Sequence, residues 1–163
     1  MTGLPYSGKS TLTRELVKRF GFEVVSVDDI MDRESMWRDG HPTQEDWDVA
    51  YSEAYETIKK YLRENKTVIF DCANLPFHER KTPRLIAESL GVNSKVIYLD
   101  ISKEEILERR RKNEITKERD QLDEEDMKVA FELFDEPKSE ENVIIYNQKM
   151  DLEEWIRENI GVR

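Results

Sequence analysis

Apolar positions along this chain follow two alternating periods. From Lys9 to Phe20, Leu12, Leu16, Val17 and Phe20 return at helical spacing, and Gly21 stops the run. Residues 23–27, a β-rich run around Val24 and Val25, read as a short buried strand. A longer helix is predicted over 44–64, opened by Thr43 and Asp46 in capping-box spacing, with Trp47, Tyr51, Ala54, Ile58 and Tyr61 or Leu62 as its stripe. Strands at 67–71, 95–100 and 142–146 then alternate with helices. One runs through Arg84 to Gly91, and one is capped by Ser102 with Glu105 and continues through Arg109, Arg110 and Arg111. Another spans 123–134, and the last is capped by Asp151 with Glu154. Such alternation predicts an α/β fold with a parallel sheet in one domain.

Composition narrows the setting. The chain has 163 residues, 37% apolar and 38% charged, with no apolar run near the roughly 20 residues of a membrane span. Cys72 is the only cysteine, which excludes an intrachain disulfide and makes a cytoplasmic location the default. The formal net charge of −10 disfavours a nucleic-acid partner, although a basic stretch runs from Arg109 to Arg119. Oligomeric state is not legible.

Chemistry concentrates at the start of the chain. Gly3-Leu4-Pro5-Tyr6-Ser7-Gly8-Lys9-Ser10-Thr11 is a complete Walker A pattern, directly ahead of the first predicted helix. Its glycines let successive backbone N–H groups turn toward one anion, and the helix N-terminus adds positive potential. Gly3, Tyr6, Ser7, Gly8, Lys9, Ser10 and Thr11 are therefore the expected ATP-binding residues. Lys9 is expected on the β- and γ-phosphates and the Ser10 hydroxyl on Mg²⁺. A phosphate loop ordinarily follows a buried strand, yet only Met1 and Thr2 precede Gly3. The expectation is that a first strand of roughly four to six residues is missing or truncated.

Three other groups are candidates. Asp28 and Asp29 follow the second-strand pattern, where one carboxylate can take a proton from an attacking hydroxyl. Alternatively they cap a short helix over 30–36. Asp71 ends an apolar strand, which suits a carboxylate of the Mg²⁺ shell, while Asn74 caps a helix or touches substrate. Of the arginines at 109–111, at least one can face a cleft. Otherwise they form a solvated helix paired with Glu104, Glu105 and Glu108. His41 and His78 lack metal-ligand spacing, Cys72 reads as a buried filler, and Trp37 as a flap over an acceptor.

Taken in order, the loop from Gly3 to Thr11, Ser26-Val27-Asp28-Asp29, Val68-Ile69-Phe70-Asp71-Cys72-Ala73-Asn74, and Tyr98-Leu99-Asp100 with Arg109 resemble the small AAA-type P-loop kinase family. That group includes polynucleotide 5′-hydroxyl kinases, chloramphenicol phosphotransferase-like enzymes and seryl-tRNA kinases. Phe134-Asp135-Glu136-Pro137 is similar to a segment after the tRNA kinases' lid. The resemblance implies an adenylate-kinase-like sheet of order 2-3-1-4-5 with helices on both faces and a small basic lid at about 109–122. It also implies Asp28 as catalytic base, Asp71 as the metal-shell carboxylate and Arg109 as a lid arginine on phosphates.

Three departures stand out. Tyr6 replaces a common Gly, Met31 replaces an acceptor-contacting Arg of polynucleotide kinases, and Asn113 replaces a second lid Arg, whose role would pass to Arg110, Arg111 or Arg119. The reaction expected is transfer of the ATP γ-phosphate to a hydroxyl of a small molecule. A polynucleotide or tRNA kinase is the alternative, and a regulatory NTPase without an acceptor is the alternative from another class. No Asn-Lys-x-Asp guanine motif occurs.

Overall fold

A computed structural model describes residues 1–37, 42–73, 75–119 and 121–161. Helix α1 (Lys9–Phe20) buries Leu12, Thr13 and Leu16 and ends at Gly21, whose φ of +65° suits glycine. Strand β1 (Glu23–Ser26) ends one residue earlier than the sequence pattern suggests, because Ser26, still paired with Asp71, also caps α2 (Val27–Arg33) and Val27 begins that helix. Helix α3 (Gln44–Arg63) carries the expected capping box, with Thr43 and Asp46 each satisfying the other's backbone N–H. Strand β2 (Val68–Asp71), helix α4 (Phe77–Ser89) and strand β3 (Val96–Leu99) follow. Then come α5 (Lys103–Thr116), α6 (Glu124–Leu133), β4 (Val143–Tyr146) and α7 (Leu152–Asn159).

Among the described residues the strands form two parallel pairs, β1 with β2 and β3 with β4. They match the neighbours 2 with 3 and 4 with 5 of the expected 2-3-1-4-5 order. Thr2 makes one parallel bridge to Tyr98: its N–H donates to Ile97 O (2.9 Å), and its carbonyl accepts from Leu99 N (3.0 Å). Thr2 is fully buried, so this bridge anchors the residue directly before the glycine loop.

The residues gather into two compact units, and α1 and α4 contribute to both. The first holds Met1–Thr11, Ala73–Arg80 and the chain from Lys95 onward. Its least exposed side chains include Trp155, Leu99 and Ile106, with the Trp155 indole donating to Ile145 O (2.6 Å). An Arg80–Glu141 ion pair lies inside this unit, at 2.8 and 3.1 Å. The second unit holds Leu12–Cys72 and Lys81–Ser94. Its core is Val25, Val27, Ile30, Met31, Ala50, Ala54 and Ile58, with Cys72 buried among them as a small filler. An aromatic series, Trp47, Tyr51, Tyr55 and Phe70, packs along that core. Among the described residues no helix is long and apolar enough to cross a membrane.

Candidate active site

The first unit contains the glycine loop. Gly3 (φ +147°), Tyr6 (φ +63°) and Gly8 (φ +98°) all hold left-handed or related backbone, and α1 starts at Lys9. For the two glycines this conformation is free of Cβ strain, while for Tyr6 it costs about 1–2 kcal/mol. A Cβ on Gly3 would lie 2.9 Å from Ser7 Oγ and 3.1 Å from Leu99 O. The Ser7 hydroxyl is buried and has no hydrogen-bond partner among the described residues. A buried hydroxyl of this kind inside an N–H-rich turn fits an anionic ligand. Lys9 folds back over the loop, its Nζ donating to Gly3 O (2.7 Å) and Leu4 O (3.2 Å). Ser10 and Thr11 are exposed at the start of α1.

Arg109 reaches the same loop. Its Nη1 donates to Tyr6 O (3.2 Å), while its Nε is held by Glu105 (2.8 Å) one turn earlier. Arg110 is otherwise engaged, with Leu122 O (3.1 Å) and Glu114 (3.2 Å). Arg111 and Lys112 are exposed, in keeping with a partly solvated charged helix. Gln148, from the loop after β4, was not legible as a site residue. Its Nε2 donates to Ser7 O (3.0 Å) and occupies the space that a Cβ on Gly8 would need. Its one available signal is position, since loops at the carboxyl ends of parallel strands carry ligand contacts.

The second unit holds the candidate carboxylates Asp28, Asp29 and Asp71. Asp28 and Asp29 lie exposed in the first turn of α2. Neither is the cap: Ser26 Oγ accepts from Asp29 N (3.1 Å), which corrects the capping alternative and moves the helix start from 30 to 27. Asp71, at the end of β2, accepts from Thr13 Oγ1 (3.2 Å). Thr13 is 5% exposed and was missed by pattern reasoning, which reads only the apolar members of the α1 face. Met31 is fully buried in the core, so its side chain is packing.

Trp37 is 39% exposed and meets Trp47 edge-on at 5.8 Å. The remainder of the expected flap, with His41, lies outside the described residues, as does Asn74. His78 is exposed on α4. The Phe134–Pro137 segment braces the turn after β2: Asp135 accepts from Phe77 N (3.0 Å), and its own N–H donates to Leu75 O (3.0 Å). Phe134 packs on Tyr98 at 5.7 Å. Burial, with help from Asp100 and Glu136, pushes the Tyr98 phenol up to about 12.

Comparison with known proteins finds the same fold in solved structures. Kti12 from Chaetomium thermophilum, solved in complex with ADP-AlF3, superposes with a TM-score of 0.73 at 18% identity, covering 96% of this chain and 92% of that one. A gluconokinase from Sinorhizobium meliloti gives 0.66 at 19% identity, with 97% and 85% covered. APS kinase from Mycobacterium tuberculosis, in complex with AMPPNP and APS, gives 0.63 at 17% identity, with 98% and 92% covered. These likenesses show an α/β P-loop NTPase fold. A search of curated proteins finds no match. The AAA domain family model matches residues 1–137. With its glycine loop and parallel strand pairs, the chain belongs to the AAA domain family.

Proposed function

We propose that the chain is an ATP-dependent kinase that transfers the γ-phosphate of ATP to a hydroxyl of a small-molecule acceptor. The observation that carries this reading is the glycine loop, with its left-handed turns, its buried unpartnered Ser7 hydroxyl, and both Lys9 and Arg109 bonded to its carbonyls. Two cations held on loop carbonyls suit a polyphosphate, which would exchange weak acceptors for strong ones. The fold likeness to a gluconokinase and an APS kinase supports a phosphotransferase of this size.

Each residue then has a role. Gly3, Tyr6, Ser7, Gly8 and Thr11 would present backbone and hydroxyl donors to the phosphates, and Lys9 would neutralise charge on the β- and γ-oxygens. Bound Mg²⁺ would supply further neutralisation of those oxygens. Ser10 is assigned to it as a direct ligand and Asp71 as a carboxylate of its water shell. Magnesium is held through few protein ligands besides substrate phosphates and water. Thr13 would fix the Asp71 carboxylate in orientation. Asp28 would accept the acceptor's hydroxyl proton as the new O–P bond forms and the bond from the γ-phosphorus to the bridging oxygen breaks, releasing ADP. Arg109 would stabilise charge on the transferring group. A nucleic-acid acceptor is less well supported, given the net charge of −10 and the burial of Met31.

The test is ATP consumption over a panel of nucleosides, sugars, aminoglycoside-like antibiotics and 5′-hydroxyl oligonucleotides, with Asp28→Asn beside the parent. Asp28→Asn should cut transfer by about 10²–10⁴ while ATP affinity stays within about threefold. Only acceptor-independent hydrolysis, indifferent to Asp28→Asn, would replace this reading with that of an NTPase. Transfer confined to oligonucleotides would replace it with that of a polynucleotide kinase.

A further inference from the structure

The loop residue that departs most from glycine-rich practice is Tyr6, and its side chain turns toward the basic segment after α5. The ring is 6% exposed and clusters with Ile106, Met127 and Leu122. Its hydroxyl accepts from Leu122 N (3.2 Å), and its carbonyl accepts from Arg109 Nη1 (3.2 Å). The Arg119 guanidinium lies over the ring, 4.6 Å from its centroid. One loop residue therefore meets two arginines and the turn that follows them.

Asn113 completes the arrangement. Its side chain is 6% exposed and holds both polar groups of the Arg119 backbone, with Oδ1 accepting from Arg119 N (3.1 Å) and Nδ2 donating to Arg119 O (3.0 Å). Nδ2 also donates to Gln121 Oε1 (2.7 Å). Lys117 caps α5 in left-handed backbone (φ +50°), the turn that sends the chain back toward Tyr6. The Arg119 guanidinium makes no ion pair or hydrogen bond among the described residues. Stacking engages only its face, so its in-plane N–H donors remain to be used.

We propose that Arg119 is a second phosphate-contacting arginine beside Arg109, and that Tyr6 and Asn113 are positioning residues that deliver it to the glycine loop. This rests on the kinase reading above. A cation carried on a loop residue's own ring moves with that loop, so phosphate binding and placement of the basic segment become one event. Arg110 is committed elsewhere, which leaves Arg119 as the basic group bound to the loop besides Arg109 and Lys9.

The experiment measures affinity for a non-hydrolysable ATP analogue, kcat and KM, and amide hydrogen exchange at 114–122. The variants are Arg119→Gln, Asn113→Ala, Tyr6→Phe and Tyr6→Gly, the last compatible with the left-handed backbone. Arg119→Gln should weaken analogue binding about tenfold and lower kcat/KM by about 10²-fold. Asn113→Ala and Tyr6→Gly should approach the same losses and speed exchange in 114–122. Tyr6→Phe keeps the ring but loses the hydroxyl that accepts from Leu122 N, so analogue binding should fall less than in Tyr6→Gly while exchange at Leu122 quickens; it also carries the test if Tyr6→Gly fails to fold. Combining Tyr6→Gly with Arg119→Gln should add less than about threefold to the Arg119→Gln loss, because both remove one interaction. Parent-like Arg119→Gln, or losses that multiply in the double variant, would overturn the proposal. Lys9→Ala separates the layers: if it abolishes analogue binding while Arg119→Gln does nothing, the proposal alone fails. If Lys9→Ala also binds normally, the kinase reading fails with it.

Discussion

Replacing Lys9 with alanine removes two things at once, and the structure sets the size of each. Nζ donates to Gly3 O at 2.7 Å and Leu4 O at 3.2 Å, so the ammonium also tethers its own loop. A charged hydrogen bond contributes about 1.5–3 kcal/mol net, but Lys9 is only half-buried and water can reach both carbonyls once the side chain is gone. We therefore expect about 1–2 kcal/mol of lost stability, a fall in Tm of about 2–8 °C for a chain of this size. Against a typical stability of about 5–15 kcal/mol the variant stays folded at 25 °C. Turnover should fall much further, by about 10²–10³, because a preorganised charge on the β- and γ-phosphates is lost. The assay pairs a thermal melt, with and without ATP, with ATP turnover at 25 °C. ATP should raise the Tm of the parent and leave that of the variant nearly unmoved. A folded Lys9→Ala protein turning over within about twofold of the parent would refute the phosphate role. An unchanged Tm would refute the tether.

Other outcomes follow from single contacts. Arg80→Met strands the Glu141 carboxylate at a site where the two side chains are 2% and 0% exposed, and should cost about 3–5 kcal/mol in urea unfolding; Arg80→Met with Glu141→Leu should recover most of it. Burial raises the Glu79 carboxyl above its ordinary pKa, and its Oε2 has no partner among the described residues. The charged form is thus disfavoured in the folded state, so Glu79→Gln should stabilise at pH 7, with the gain fading as pH falls through the raised value and gone below the ordinary carboxylate range. A gain that persists at pH 3 would point to packing instead. Gly3→Ala puts a Cβ 3.1 Å from the Leu99 backbone oxygen in a φ +147° residue and should lower ATP affinity by at least about tenfold. Gly21→Ala, with open space around it but φ +65°, should cost about 1 kcal/mol and leave ATP affinity alone.

What could be read from the sequence was local. The capping box of α3, the Asp151 cap of α7 and the start of α1 at Lys9 each depend on residues within one turn of each other, and all three stand as expected. The start of α2 misled because Val27 extends the apolar run of β1 and only its cap, Ser26, marks the break. The glycine loop was legible for the same local reason, since it works through backbone N–H groups whose directions neighbouring φ angles set.

The groups that adjust this loop are another matter. Arg109 reaches Tyr6 across 103 residues, Gln148 reaches Ser7 across 141, and Thr13 reaches Asp71 across 58. A polar contact of that span leaves no periodic trace, because each partner looks like an ordinary surface residue in its own element. Asn113 shows the consequence. Judged by its position alone it is a missing arginine, yet its side chain folds the following turn so that Arg119 lies on the ring of Tyr6. Two departures from family practice, a tyrosine in a glycine's place and an asparagine in an arginine's, thus belong to one arrangement. Tyr6 accepts a strained backbone to provide the ring, and Asn113 provides the turn that brings a charge onto it.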